Sequence, residues 1–201
     1  MKILITGTSS GVGQALAKQL SDHELVTPNR AELDLSNTEN VIAYPMPIVD
    51  MLINCAGTGI GGHTNFVDHQ VDKFTKIFKV NLLAPMILTH SALRLNPQCK
   101  IVNITSNSTK NISPKDLGYK LSKLSLSQFG TMLQGEYPRL RFLEARIGLT
   151  LTKFNENRYI DEENRTPNIF QTLHIMTADY VAEQIVNVLF NDTVKFVEIA
   201  P

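Results

Sequence analysis

The chain has no excess of charge of either sign: 19 Lys and Arg stand against 19 Asp and Glu in 201 residues. That balance removes the electrostatic reason to seek DNA, RNA or an anionic membrane, and no run of basic residues restores it locally. Cysteine is scarce. Cys55 and Cys99 are the only two, too few for a disulfide framework or a thiolate metal cluster. His23, His69, His90 and His174 show no metal-ligand spacing with carboxylates or thiols, and His63 reads as a solvated loop residue, so no metal is expected. No apolar run is long enough to span a bilayer. The apolar stretch at the N-terminus is too short for a signal peptide and leads into a glycine turn. Repeats, low-complexity tracts and charged linkers are missing too. These absences lead to the expectation of a cytoplasmic chain without nucleic-acid or membrane partners.

What is present is a composition that can form a core: 43% hydrophobic and 19% charged residues, in a length that suits one domain over residues 1–201. Short β-rich runs alternate with longer helical patterns. Strands are expected at Lys2–Thr6, Glu24–Thr27, Val49–Asn54, Lys100–Thr105, Arg141–Arg146 and Lys195–Ile199. Helical periodicity marks Val12–Leu20, Val71–Leu95, Leu117–Gly135 and, after a Thr177 cap, Ala178–Phe190. Pro85 lies inside the second of these and predicts a kink or break. The pattern is α/β: a doubly wound, mainly parallel Rossmann-type sheet with helices on both faces. One link is short. Between Val26 and Asp34 there is no room for a crossover helix, so Leu33-Asp34-Leu35 is either a stub of a strand or a segment crossing the sheet edge.

The first strand runs into Thr6-Gly7-Thr8-Ser9-Ser10-Gly11-Val12-Gly13, which opens the first helix. Gly7 permits the sharp turn. Gly11 and Gly13 let a pyrophosphate approach the backbone, and free N–H groups at the helix start face its phosphates. Ser9, Ser10 and Val12 belong to the same candidate dinucleotide cradle. Further along, Tyr119 and Lys123 are four apart on a predicted helix and share a face. A phenol alone titrates near 10, and a neighbouring ammonium pulls it toward working pH. Tyr119 can then protonate a carbonyl oxygen, or take an alcohol proton in reverse. Ser106 closes a strand where open α/β sheets place ligands, and its hydroxyl can bond an oxygen on which negative charge develops. Thr105 and Ser108 are close competitors for that role; strand alternation favours Ser106.

Together these motifs resemble the short-chain dehydrogenase/reductase family over nearly the whole chain. Thr6-Gly7 to Gly13 is similar to its Thr-Gly-x-x-x-Gly-x-Gly, and Tyr119 to Lys123 to its Tyr-x-x-x-Lys, thirteen residues after Ser106 as is usual there. Asn54-Cys55-Ala56-Gly57 is similar to the family's Asn-Asn-Ala-Gly, with Cys55 in place of the second Asn. Asn81 matches its helix asparagine. The resemblance implies an oxidoreductase that interconverts a carbonyl and a secondary alcohol by hydride transfer. It implies that Lys123 also holds the nicotinamide ribose, that Asn81 bends its helix and holds a proton-relaying water, and that Asn54, Ala56 and Gly57 border the cofactor. Ile147-Gly148-Leu149-Thr150-Leu151-Thr152 sits where the family has Pro-Gly-x-x-x-Thr. Gly148 and Thr152 fit, with the backbone near Ile147 and the Thr152 hydroxyl holding the nicotinamide amide.

No acidic residue follows Val26 directly to bind a ribose 2′-hydroxyl. The chain reads Thr27-Pro28-Asn29-Arg30, and the planar fork of Arg30 suits a 2′-phosphate. NADP(H) is favoured, with NAD(H) as the alternative. Asp34-Leu35 resembles the family's Asp-Val pair near the adenine. Residues 153–176, with Phe154, Tyr159, Ile169 and Phe170, are the expected substrate lid; these rings either cover an apolar substrate or pack the lid onto the body. The resemblance also implies a homo-oligomer, dimer or tetramer, through the helices near Val71–Leu95 and Leu117–Gly135, whose Leu and Met residues can equally be core. Two rival readings stand beside the enzyme: a non-catalytic dinucleotide-binding regulator on the same fold, and a sugar-nucleotide epimerase or dehydratase, which the short chain disfavours.

Overall fold

The computed structural model describes residues 1–60, 65–110, 116–154 and 175–200. Its centre is a parallel sheet. Strands β1 (Lys2–Ile5), β2 (Glu24–Val26), β3 (Met51–Asn54), β4 (Lys100–Ser106) and β5 (Phe142–Ile147) are joined by a last strand, β8 (Phe196–Ile199). The order across the sheet is β2-β1-β3-β4-β5-β8, and every neighbouring pair is parallel. Two short strands, β6 (Thr150–Leu151) and β7 (Met176–Thr177), pair apart from it.

Alternation along the strands explains the two layers of helices. Ile3, Ile5, Met51, Ile53, Val102, Ile104, Leu143 and Ala145 point to one core. There they meet α1 (Gly11–Gln19) and α6 (Ala178–Leu189), through Leu16, Val181, Ile185 and others. The intervening Leu4, Leu52, Ile101 and Phe142 point to the opposite core. Helices α2 (Thr38–Ala43), α4 (Ala84–Leu95) and α5 (Leu117–Glu136) cover that side with Val41, Leu88, Ala92 and Leu133. Strands buried on both faces read as continuous apolar runs. That is why the strand positions were visible in the sequence to within a residue or two.

Three features refine the expectations. Leu33-Asp34-Leu35 is not a strand: it crosses the sheet edge, and Leu33 anchors it in the second core. The short helix α2 follows at once, unanticipated because its six residues are too few to show a period. Asn37 caps it, its side-chain oxygen accepting from the N–H groups of Glu39 and Asn40. At Pro85, where a kink or break is expected, the winding changes. Helix α3 (Val71–Phe78) continues through a π-helical turn, Lys79–Leu83, into α4, with Pro85 in the first turn of α4. Proline has no N–H to give the preceding turn, and the Ala84 N–H reaches back to the Lys79 carbonyl, the wider spacing of a π turn.

One buried charge ties the sheet to the final helix. Lys100, at the start of β4, is fully buried. Its Nζ donates to the carbonyl oxygens of Leu189 (2.6 Å) and Asn191 (3.4 Å) and to Asp192 Oδ1 (3.0 Å). The ammonium thus caps the C-terminal end of α6, where a positive charge is favoured. Burial pulls its pKa down, and Asp192 offsets part of that pull. Lys100→Met keeps the side-chain length but leaves those carbonyls unpaired, which should cost about 2 kcal/mol. Urea denaturation measures the loss; an unchanged midpoint contradicts the role.

Candidate active site

Parallel strands end at one edge of the sheet, and the strand order reverses between β1 and β3, where open α/β sheets hold ligands. A cleft of about 1000 Å³ lies there. Thr6 makes the junction: its Oγ1 accepts from the N–H groups of Cys55 and Ala56, both at 3.1 Å, so the ends of β1 and β3 are clamped together. Gly7 and Gly11 adopt φ of 78° and 58°, a region that favours glycine. A β-carbon on Gly13 would lie 2.2 Å from the Gly7 carbonyl oxygen, so the turn closes on the helix only with glycine there. Ser10 stands at the cap of α1 without a side-chain hydrogen bond to the helix. The N–H groups of the first turn are therefore not taken by the usual cap. Gly7, Ser9, Ser10, Gly11, Val12 and Gly13 all line the cleft, as do Ala56 and Gly57.

At the far end of this turn the wall is formed by Asn29, Arg30, Asp34 and Leu35. Asn29 organises the segment, its Oδ1 accepting from the N–H groups of Ala31 (2.8 Å) and Glu32 (3.2 Å). Asp34 Oδ1 accepts from the Ser36 hydroxyl and N–H, at 2.7 and 2.9 Å. Those Ser36 bonds are the main reason that its carboxyl is held below the usual range, helped by Arg30 and Lys76. Arg30 is exposed, with its Nε 3.8 Å from Asp34 Oδ1.

The other end carries Ser106, Tyr119 and Lys123, all buried and all on the same cleft. Thr105, Ser106 and Ser108 all border the cleft. The Thr105 hydroxyl donates to Glu144 Oε1 at 2.7 Å, whereas Ser106 Oγ lies 2.9 Å from Ser108 Oγ and accepts from the Ser108 N–H. Lys123 Nζ donates to the Ile104 carbonyl oxygen at 2.8 Å. Burial pulls its pKa down to about 8. Cys55, also on the wall, has a thiol that burial pushes up to about 11, so it stays neutral in place of an asparagine.

Two expected site residues stand behind the wall. Asn54 is buried among polar neighbours, its Nδ2 donating to Asn103 Oδ1 (2.9 Å) and Thr89 Oγ1 (3.3 Å). Its side chain braces β3 against β4 and α4 and does not face the cleft. Asn81, in the π turn, is fully buried and clamps the loop after β3. Its Oδ1 accepts from the Thr58 N–H, and its Nδ2 donates to the Thr58 carbonyl and to Ser122 Oγ. Ser122 donates onward to the Tyr119 carbonyl. The wider turn and the side-chain bond to α5 were not readable from the asparagine alone.

Gly148 and Thr152 line the cleft from the C-terminal third, and a β-carbon on Gly11 would lie 3.0 Å from Thr152 Cγ2. Thr152 therefore sits against the glycine turn. Most of the expected lid, including Tyr159, Ile169 and Phe170, lies outside the described residues, as do His63 and His174. Phe154 is described, and its ring centre is 5.5 Å from that of Tyr119. Asp116, which no motif marks, also lines the cleft. It is buried on the cleft wall one turn before Tyr119, with a left-handed φ of 59°. The sole signal was an Asp before a helix, which reads as a cap, yet its side chain makes no capping bond.

Because desolvation lowers the Lys123 pKa, its ammonium should lose its proton near pH 8, against 10.5 for an ordinary lysine. In the free protein the charged form is the penalised one. The cost to stability is full below pH 8 and is relieved as pH rises from 8 toward 10.5. NMR titration of the labelled lysine ε-carbon should find one resonance, absent in Lys123→Met, with a midpoint near 8; a midpoint near 10.5 contradicts the desolvated site.

The model of the short chain dehydrogenase family matches residues 30–163. The NADP-dependent 3-hydroxy acid dehydrogenase of Schizosaccharomyces pombe is 25% identical, over 96% of this chain and 91% of that protein. Among solved structures, the closed form of a serine dehydrogenase complexed with NADP+ superposes with a TM-score of 0.84 at 19% identity, covering 100% of this chain and 95% of that one. A 4-hydroxyisoleucine dehydrogenase complexed with NADH superposes with a TM-score of 0.78 at 22% identity, over 99% and 96%. These likenesses to solved structures extend the fold across nearly the full length of each chain.

Proposed function

The chain belongs to the short-chain dehydrogenase family, and from that premise we propose that it interconverts a carbonyl and a secondary alcohol, with Tyr119 as general acid and base. It is an oxidoreductase of that family. The observation that carries the finer reading is the meeting of Ser106, Tyr119 and Lys123 on the cleft that the glycine turn also lines.

The cleft fits a nicotinamide dinucleotide. Its volume, about 1000 Å³, is at the upper end for small-molecule sites. Its length runs from Arg30 past an uncapped helix N-terminus to Tyr119. Gly7 to Gly13 would hold the pyrophosphate, Asp34 and Leu35 the adenine side, and Gly148 and Thr152 the nicotinamide amide. Arg30 would meet a 2′-phosphate, which favours NADP(H) and leaves NAD(H) usable. The names of the relatives agree with both: the yeast protein is NADP-dependent, and the two solved structures hold NADP+ and NADH. When bound, the nicotinamide supplies hydride in one direction and accepts it in the other.

The protein's part is proton handling and charge placement. Tyr119 delivers a proton to the carbonyl oxygen in reduction and removes it from the alcohol in oxidation. The Lys123 ammonium on the same helix face favours the phenolate, and it would hold the ribose hydroxyls. Ser106 donates to the substrate oxygen as charge develops. Asn81 supports the set indirectly, through Thr58 and Ser122. One domain carries the cleft and the catalytic set alike. Exposed Leu83 and Met86 near the start of α4, with Leu117, Leu121 and Leu124 on α5, favour burial against a second copy in a dimer or tetramer.

Two substitutions test this reading with NADPH, NADH and a panel of ketones and aldehydes. Tyr119→Phe should cut kcat by roughly 10²–10⁴-fold and leave cofactor binding intact; wild-type turnover would sink the mechanism. Arg30→Ala should weaken NADPH about tenfold and leave NADH unchanged. An equal effect on both cofactors would remove Arg30 from 2′-phosphate recognition.

A further inference from the structure

Strand β5 carries two charges, Glu144 and Arg146, in an otherwise apolar run that is buried between β4 and β8. Burying an ion pair does little for stability by itself, because desolvation offsets the attraction. Its partners are more informative. Glu144 Oε1 accepts from Thr105 Oγ1 at 2.7 Å and from Arg146 Nη2 at 3.1 Å. Glu144 Oε2 accepts from Ser127 Oγ at 3.0 Å, and Arg146 Nη2 also reaches Ser127 Oγ at 3.3 Å. Thr105, Ser127 and Glu144 are all buried, and the Arg146 guanidinium lies 4.8 Å from the centre of the Phe196 ring on β8.

Each arm of this carboxylate ends beside a residue of the candidate catalytic set. Thr105 immediately precedes Ser106 on β4. Ser127 continues the stripe Tyr119, Lys123, Ser127, which repeats every four residues along one face of α5. We propose that Glu144 is a positioning residue: its carboxylate locks the register of α5 against the end of β4 and so sets the Tyr119 phenol and the Lys123 ammonium relative to the Ser106 hydroxyl. An apolar residue at 144 would remove the link between Thr105 and Ser127, leaving α5 with its Lys123–Ile104 and Asn81–Ser122 bonds and its apolar packing, so that its register against β4 can shift slightly. Displacing reacting groups by about 1 Å costs on the order of a hundredfold in rate. The proposal rests on the catalytic reading of Tyr119.

The test uses the full-length enzyme with NADPH and the carbonyl compound of the panel that it reduces fastest. Glu144→Ala should lower kcat by roughly ten- to hundredfold, while KM and the NADPH dissociation constant stay within about twofold, at a temperature where circular dichroism shows the variant folded. Glu144→Gln keeps an oxygen for Thr105 and a polar group for Ser127, and should restore most of the lost kcat. Wild-type kcat in Glu144→Ala, a loss confined to KM or cofactor binding, or no rescue by Glu144→Gln overturns the proposal. If Glu144→Ala does not fold, Thr105→Val and Ser127→Ala each remove one neutral arm. A fall in kcat for both supports the register lock, and an unchanged kcat in either overturns it. Tyr119→Phe, run in parallel, separates the failures. If it is inactive while Glu144→Ala is fully active, only the positioning role falls; if it keeps full turnover, the catalytic reading falls and takes this role with it.

Discussion

A buried ammonium at the centre of the site constrains the rest of the structure. Lys123 can donate to the Ile104 carbonyl only if α5 lies close against the end of β4. Tyr119, one turn earlier, lines the same cleft as Ser106. The contact with β4 takes the lysine out of water, which is why its pKa falls toward 8. A protein meets the cost of holding such a charge dry through packing elsewhere. Two hydrogen-bonded groups brace α5 on either side of Lys123 in sequence: Asn81 with Ser122, and Thr105 and Ser127 with Glu144.

The glycine turn obeys a different constraint, that of close approach. The first strand, the loop after β3 and the start of α1 meet within contact distance around Thr6, Gly7 and Gly13. Nothing bulky fits there, and what is left open is a lane bounded by backbone. At its far end the chain crosses the sheet edge directly through Leu33 to Leu35, held by the Asn29 and Ser36 turns and by Leu33 in the core. The lane beside the glycine turn and the candidate catalytic set are thus built from separate parts of the sequence. They are aligned because parallel strands all end at the same edge.

Much of this was legible in the residues. Strands such as Lys2–Ile5 and Met51–Asn54 are apolar throughout because both faces are buried, and such runs are visible without a partner in view. The glycine turn and the Tyr119–Lys123 pair were legible through spacing, since local geometry links residues four apart on a helix. The place of Ser106 at the end of a buried strand was legible through the apolar run before it. What was not legible depends on distant partners. Asn54 reads as a cleft residue from its motif, yet Asn103 and Thr89 draw its side chain into the interior. Asp116 carries no motif, and its left-handed backbone and place on the cleft wall emerge only from the fold. Pro85 predicts a kink or break, but not that it takes the form of a π turn between α3 and α4. Glu144 is a lone carboxylate in a strand until Thr105 and Ser127, from two other elements, are seen to meet it.

Every role proposed for the cleft depends on one binding event, the seating of a nicotinamide dinucleotide along the lane from Arg30 to Tyr119. Isothermal titration calorimetry of the protein with NADPH and with NADH measures it most directly. Both should bind at one site per chain, NADPH the tighter. Failure of both to bind the folded protein would leave the cleft without its dinucleotide and overturn the proposed function.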